Sequence, residues 1–134
     1  MEQSKEALSQ RVDAAAMLAR TQAWSAINSG TRNLRGLSEV AALLADAFSV
    51  LPGSLTLVDG DMAESVGSDG SVTRLDHGKH LRLIVRPQAP VQMLFTGHMD
   101  TVYPADHAFQ DLTWRDANTL NGPGVAAVSY THLT

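Results

Sequence analysis

The chain contains no cysteine, few aromatic residues and no long hydrophobic run. The absence of cysteine excludes disulfides and thiolate metal ligands, so any metal must be bound by His, Asp or Glu. No window approaches the apolar length needed to cross a bilayer, and no apolar stretch follows the charged N-terminal residues. We therefore expect neither a membrane span nor a signal peptide, and we expect a cytoplasmic protein.

The chain is acidic, and its basic residues form no cluster. The net charge is -4, and the ten Lys and Arg residues are scattered along the chain. An acidic protein without a basic stripe is a poor binder of the nucleic-acid backbone, so no nucleic-acid partner is expected. At 134 residues and 44% hydrophobic content, the length and composition are those of one soluble globular domain.

Hydrophobic periodicity predicts two helices in the first part of the chain. The first covers about Ser4 to Ile27, and turn formers between Asn28 and Asn33 end it. Asn33 or a neighbour is expected to cap the second helix, which Pro52-Gly53 stops. The predicted apolar faces are Leu8, Val12, Ala15, Ala16, Ala19, Ala23 and Ile27 for the first helix, and Leu37, Val40, Ala41, Leu44, Ala47, Phe48 and Leu51 for the second.

The sequence pattern changes after Pro52 and predicts three strands. Residues 55–58 and 81–85 have short strand-like patterns, and residues 59–70 between them form a Gly- and Asp-rich region. Residues 91–96 are mostly apolar, as expected for a strand that is buried on both faces. Two helices followed by such strands predict a helix-flanked sheet of the α/β or α+β class.

His98 and Asp100 directly follow the predicted buried strand and Gly97. Ligands of open α/β sheets bind at the carboxyl ends of strands, so this pair lies where a site is expected. On an extended backbone, residues two apart point to the same face. An imidazole can ligate a metal through one nitrogen while a carboxylate accepts the N–H of the other nitrogen. The pair therefore predicts a metal ligand and the residue that orients it.

The sequence around this pair resembles a family of di-zinc metallopeptidases. The family includes glutamate carboxypeptidase, acetylornithine deacetylase and succinyl-diaminopimelate desuccinylase, and the segment that resembles its signature is Leu94-Phe95-Thr96-Gly97-His98-Met99-Asp100-Thr101-Val102. Residues 24–30 are similar to the N-terminal segment of the carboxypeptidase branch, and residues 120–126 to the start of the second motif. The three features occur in the family's order.

The resemblance implies a hydrolase that cleaves the amide or peptide bonds of N-acyl amino acids or short peptides. His98 would be a zinc ligand, and Asp100 the catalytic-site carboxylate that orients it and tunes the metal. Two Zn²⁺ ions would be bound in the full-length parent, with Co²⁺ or Mn²⁺ as alternatives. The implied fold is the N-terminal part of a zinc-peptidase catalytic domain, a truncated α/β arrangement with a helix-flanked mixed sheet. The family inserts a dimerisation domain into its catalytic domain, so the resemblance also implies a homodimeric full-length parent.

The similarity breaks off inside the second motif. The family places a zinc-bridging Asp, followed by Met-Lys-Gly-Gly, where this chain has Ala127 and then Val128 to Thr134. We therefore expect residues 1–126 to be the N-terminal portion of the catalytic domain and residues 127–134 to be a non-native tail. With the other metal ligands absent, we expect the chain to be inactive by itself. A genuine inactive homologue is the competing interpretation.

Other motifs have simpler interpretations. His77 and His80, near Asp76, are expected in a solvated turn, and Asp106 and His107 in a surface loop. The second functional hypothesis is a non-catalytic α/β binding or interaction module that retains a vestigial His-x-Asp motif. Metal binding by His98 would discriminate between this module and the hydrolase.

Overall fold

The computed structural model describes residues 13–126, which contain two helices and six short strands. The helices are α1 (Ala14–Ser25) and α2 (Leu34–Phe48). The strands are β1 (Ser54–Val58), β2 (Ala63–Val66), β3 (Val72–Leu75), β4 (His80–Ile84), β5 (Thr113–Asp116) and β6 (Thr119–Asn121). The predicted mixture of helices and strands is confirmed. The predicted tail at residues 127–134 lies outside the described residues.

The strands form three separate antiparallel pairs, β1 with β4, β2 with β3 and β5 with β6. In the first pair, Leu55 lies opposite Leu83 and Leu57 opposite Leu81. This alternation places leucines of both strands on one face, as the period of two predicts. Helix α2 packs against both strands of this pair. The pair and the helix therefore form the main packing unit of the described chain.

Helix α2 begins where the sequence predicts. The side chain of Asn33 accepts a hydrogen bond from the backbone N–H of Gly36 at 3.2 Å, which satisfies one of the unpaired donors of the first turn. The predicted apolar face supplies the buried core residues Leu37, Val40 and Ala41. Towards the end of the helix the same face becomes accessible, and Phe48 is 41% exposed.

Helix α1 ends at Ser25, before the predicted end at Ile27. Its described part begins at Ala14, with Asp13 as the N-cap, and residues 1–12 lie outside the described range. The predicted apolar face at Ala15, Ala19 and Ala23 is exposed, and Ser25 is the buried residue of this helix. Alanine side chains bury little apolar area, so they do not fix which face of a helix packs. The predicted apolar face is therefore not the packed face of the helix at these three alanines.

The predicted buried strand at residues 91–96 is also wrong. Within the described chain these residues pair with no strand, and Leu94 and Phe95 are 85% and 76% exposed. The chain before them turns at Arg86, which has a φ of 48°. The amide of Gln92 then donates to the carbonyls of Arg86 and Ala89 and closes the turn. An apolar run becomes a buried strand only if other strands and layers cover it, and residues 13–126 provide none.

Two hairpins were not predicted. Strands β2 and β3 lie partly within the segment expected to be a loop, and a turn with Gly70 at a φ of 82° connects them. Asp69 in this turn accepts hydrogen bonds from the hydroxyl and the backbone N–H of Ser71, which hold the pKa of the Asp69 carboxyl below its ordinary value. In the β5–β6 turn, the N–H of Asn118 similarly lowers the pKa of Asp116.

We expect Asn33→Ala to lower the free energy of unfolding by about 1–2 kcal/mol, because it removes the cap of α2. It also removes the two hydrogen bonds from the Asn33 amide to Asn28. Arg35→Ala is the matched control, since it removes only an exposed ion pair with Glu39 in the same turn and should cost less than about 0.5 kcal/mol. Urea denaturation measures both values, and equal losses would contradict the assigned cap.

Candidate functional site

The segment that carries His98 and Asp100 forms one wall of an open groove of about 860 Å³. Leu37, Leu44 and Phe48 of α2 line its apolar side, and residues 77–81 form another part of the wall. His77 and His80 therefore face the same groove as His98, although all three side chains lie in accessible positions. The expected solvated turn at residues 76–80 thus ends at the rim of this groove, where β4 begins.

The structure brings His98 and Asp100 together. The Nδ1 atom of His98 lies 2.8 Å from the backbone carbonyl oxygen of Asp100 and 3.2 Å from its carboxylate Oδ1. A carbonyl oxygen can only accept, so Nδ1 carries the proton of the neutral ring. The lone pair of that ring is then on Nε2. The sequence predicted the carboxylate as the acceptor, whereas the hydrogen bond goes to the carbonyl and the carboxylate lies beside it.

Thr31 holds the carboxylate of Asp100 from the other side. Its hydroxyl donates to Oδ2 of Asp100 at 2.7 Å and lies 3.1 Å from the carbonyl oxygen of Thr101. The hydroxyl has one proton, and the shorter bond to a charged oxygen is the stronger one. Thr31 was not predicted as a site residue. Its partner is 69 residues away, and no local pattern signals such a contact.

Backbone hydrogen bonds fix Thr31 in this position. The N–H of Thr31 donates to the carbonyl of Thr101 at 3.0 Å, and the N–H of Thr101 donates to the carbonyl of Ser29 at 2.9 Å. These two bonds form a parallel bridge between Gly30 and Thr101. Gly30 is buried, and a Cβ at this position would collide with the carbonyl oxygen of Tyr103. The loop between the helices therefore lies directly against the segment that follows Asp100.

Asn28 extends this contact along residues 103–110. Its amide donates to the carbonyl of Tyr103 at 3.1 Å and to Oε1 of Gln110 at 2.9 Å. Its carbonyl oxygen accepts from the N–H of Gly30 and from the amide of Asn33. One side chain thus connects the loop, the cap of α2 and the chain beyond the site. In the sequence, Asn28 is a turn former within residues 24–30, and these side-chain contacts were not predicted.

The ring of His107 has the opposite tautomer to the ring of His98. Its Nδ1 accepts the backbone N–H of Phe109 at 3.0 Å, so the proton of the neutral ring is on Nε2. The ring lies 5.1 Å from the ring of Tyr103, between centroids. His107 is exposed and does not line the groove around His98. The neutral ring of His107 therefore has no lone pair left to offer a ligand.

Residues 122–124, from the predicted second motif, reach the same region. Gly122 and Pro123 are buried, and Gly124 has a φ of 76°. A Cβ at Gly124 would lie 3.6 Å from the side chain of Thr101 and 3.7 Å from that of Ser25. The start of the second motif is thus adjacent to the residue that follows Asp100. Asp76 and Asp106 do not line the groove around His98.

The side chains present do not complete a zinc site. Among residues 13–126, no group of three or more His, Asp or Glu side chains is arranged to hold a metal ion. A catalytic zinc ion requires about three protein ligands and a structural one four. His98 offers one nitrogen, and its partner Asp100 is engaged with Thr31. The described chain therefore supplies a single oriented imidazole.

Comparison with known proteins identifies no relative, since no family model, curated protein or solved structure matches the chain significantly. None of the helices in the described part of the chain is long and apolar enough to cross a membrane.

We expect Gly30→Ala to destabilise the protein by about 1–3 kcal/mol, the usual cost of overpacking. The new methyl group would collide with the carbonyl oxygen of Tyr103, which accepts a hydrogen bond from the Asn28 amide and so is not free to move aside. Gly97→Ala is the matched control, because a Cβ at Gly97 meets nothing within 4 Å. Urea denaturation of both variants tests the contact. A Gly30→Ala variant as stable as Gly97→Ala would contradict the close approach of the two segments.

Proposed function

We propose that the chain is the N-terminal portion of a metal-dependent amidohydrolase. Its parent hydrolyses amide or peptide bonds of N-acyl amino acids or short peptides and uses zinc, with Co²⁺ or Mn²⁺ as alternatives. The observation that carries this proposal is the orientation of His98. Its Nδ1 faces the carbonyl and carboxylate oxygens of Asp100. Its Nε2, which carries the free lone pair, is the nitrogen left to bind a metal.

Three features support this proposal. The His-x-Asp pair lies on the wall of a groove large enough for a small molecule. The partner of His98 includes a carboxylate, the group that commonly orients metal-binding imidazoles. The segment of the second motif, where the next ligand of the proposed family follows, lies against Thr101. The three motifs that suggested the family in sequence thus converge on one region.

Metal binding by the chain provides the first test. Zn²⁺ is titrated into the chain, and the ring nitrogens of its histidines are observed by NMR. We expect weak binding that shifts Nε2 of His98, because one imidazole cannot hold zinc tightly. His107 is the internal control, since its Nδ1 lone pair accepts the N–H of Phe109. Binding should disappear in His98→Ala and persist in His77→Ala.

A shift confined to His77 or His80 would contradict this assignment of the ligand. A complete lack of response at His98, at zinc concentrations that shift other histidines, would favour the alternative of a non-catalytic binding module. The lack of a three-residue metal group within residues 13–126 is the observation that keeps this module as the second candidate.

Catalysis is tested with the extended reading frame. Sequencing the source DNA beyond the codon for Ala126 should reveal Asp followed by Met-Lys-Gly-Gly, and later a Glu pair and a His. The extended protein should hydrolyse N-acyl amino acids or short peptides, and Asp100→Asn should lower kcat/KM roughly 10–100-fold, the usual effect of losing a partner of a metal-bound histidine. A frame that ends after Thr134 would eliminate this mechanism.

A further inference from the structure

The geometry points to Thr31 as a positioning residue for His98, acting through Asp100. The hydroxyl of Thr31 donates to Oδ2 of Asp100 at 2.7 Å, while the other carboxylate oxygen lies 3.2 Å from Nδ1 of His98. Thr31 thus holds a negative charge beside the Nδ1 proton. This charge stabilises the tautomer that has its proton on Nδ1 and its lone pair on Nε2.

Two acceptors of Asp100 face Nδ1, and they are fixed by different contacts. The carbonyl oxygen at 2.8 Å belongs to the backbone, and the bridge through Thr101 holds the chain immediately after it. The carboxylate is on a rotatable side chain, and apart from Nδ1 of His98 itself, the Thr31 hydroxyl is the donor that the described residues provide for it. Asp100 is partly accessible to solvent, so without this donor the carboxylate can rotate away towards water.

The inference deepens the proposed function, because a lone pair on Nε2 is what a metal ligand requires. The role of Thr31 is nevertheless tested on the metal-free chain, so this role and the proposed function can fail separately. A correct tautomer without zinc binding at His98 would overturn the proposed function alone. Zinc binding at His98, together with a tautomer ratio that does not change when the Thr31 hydroxyl is removed, would overturn the role of Thr31 alone.

The test compares Thr31→Val with Thr31→Ser. Valine keeps the branched shape and the backbone bridge but removes the hydroxyl, whereas serine keeps the hydroxyl. The ratio of the Nδ1–H to the Nε2–H tautomer of His98 is measured by ¹⁵N NMR at a pH of about 9, where histidines with an ordinary pKa are neutral. We expect the ratio to fall about threefold or more in Thr31→Val, as for the loss of one ordinary hydrogen bond.

Thr31→Ser should keep the original ratio, and His107 should remain protonated on Nε2 in every variant, since the N–H of Phe109 fixes it. A folded Thr31→Val variant with an unchanged ratio would overturn the inference, because the carbonyl of Asp100 would then suffice. An equal fall in Thr31→Ser would also overturn it, because the hydroxyl would then not be the cause.

A measurement on the hydroxyl itself keeps the inference testable if Thr31→Val does not fold. The Thr31 hydroxyl proton should exchange slowly with water in the unsubstituted chain, and this protection should fall about threefold or more in Asp100→Ala. The carbonyl of Thr101, at 3.1 Å, is the other acceptor within reach. Protection that is unchanged in Asp100→Ala would assign the proton to Thr101 and overturn the role of Thr31.

Discussion

The contact between the loop that joins the two helices and the segment after Asp100 organises the rest of the described site. Two backbone hydrogen bonds connect Ser29 and Thr31 with Thr101. The side chains of Asn28 and Thr31 add bonds on either side of this bridge. Backbone groups that are withdrawn from water need such partners, so the bridge satisfies the polar atoms of both segments and fixes their register. The orientation of His98 depends on that register.

The elements predicted correctly from sequence are those whose signals are local. Asn33 is a good cap followed by an amphipathic run, and α2 forms there. Strands β1 and β4 show an alternation of apolar residues and occupy nearly the predicted ranges. The association of His98 with Asp100 also follows from a spacing of two residues. In each case, neighbouring positions in the sequence carry the information.

The buried strand predicted at residues 91–96 and the contact of Thr31 both depend on distant partners. Residues 91–96 have the composition of a buried strand, but burial requires covering layers, and these residues remain exposed within the described chain. Thr31 is an ordinary turn residue in the sequence, and its role depends on Asp100, 69 positions later. The carbonyl of Asp100 as the acceptor for Nδ1 could not be predicted either, because a motif specifies side chains and not the backbone angles that aim a carbonyl group.

The parallel bridge between Gly30 and Thr101 also has a consequence for the order of folding. Helix α2 and the β1–β4 strand pair are complete at Ile84, so they can pack while the chain is still being synthesised. The bridge requires residue 101, and the loop that it closes is long and costs correspondingly more chain entropy. During translation, the contact of Thr31 with Asp100 can therefore form only after this packing unit has left the ribosome.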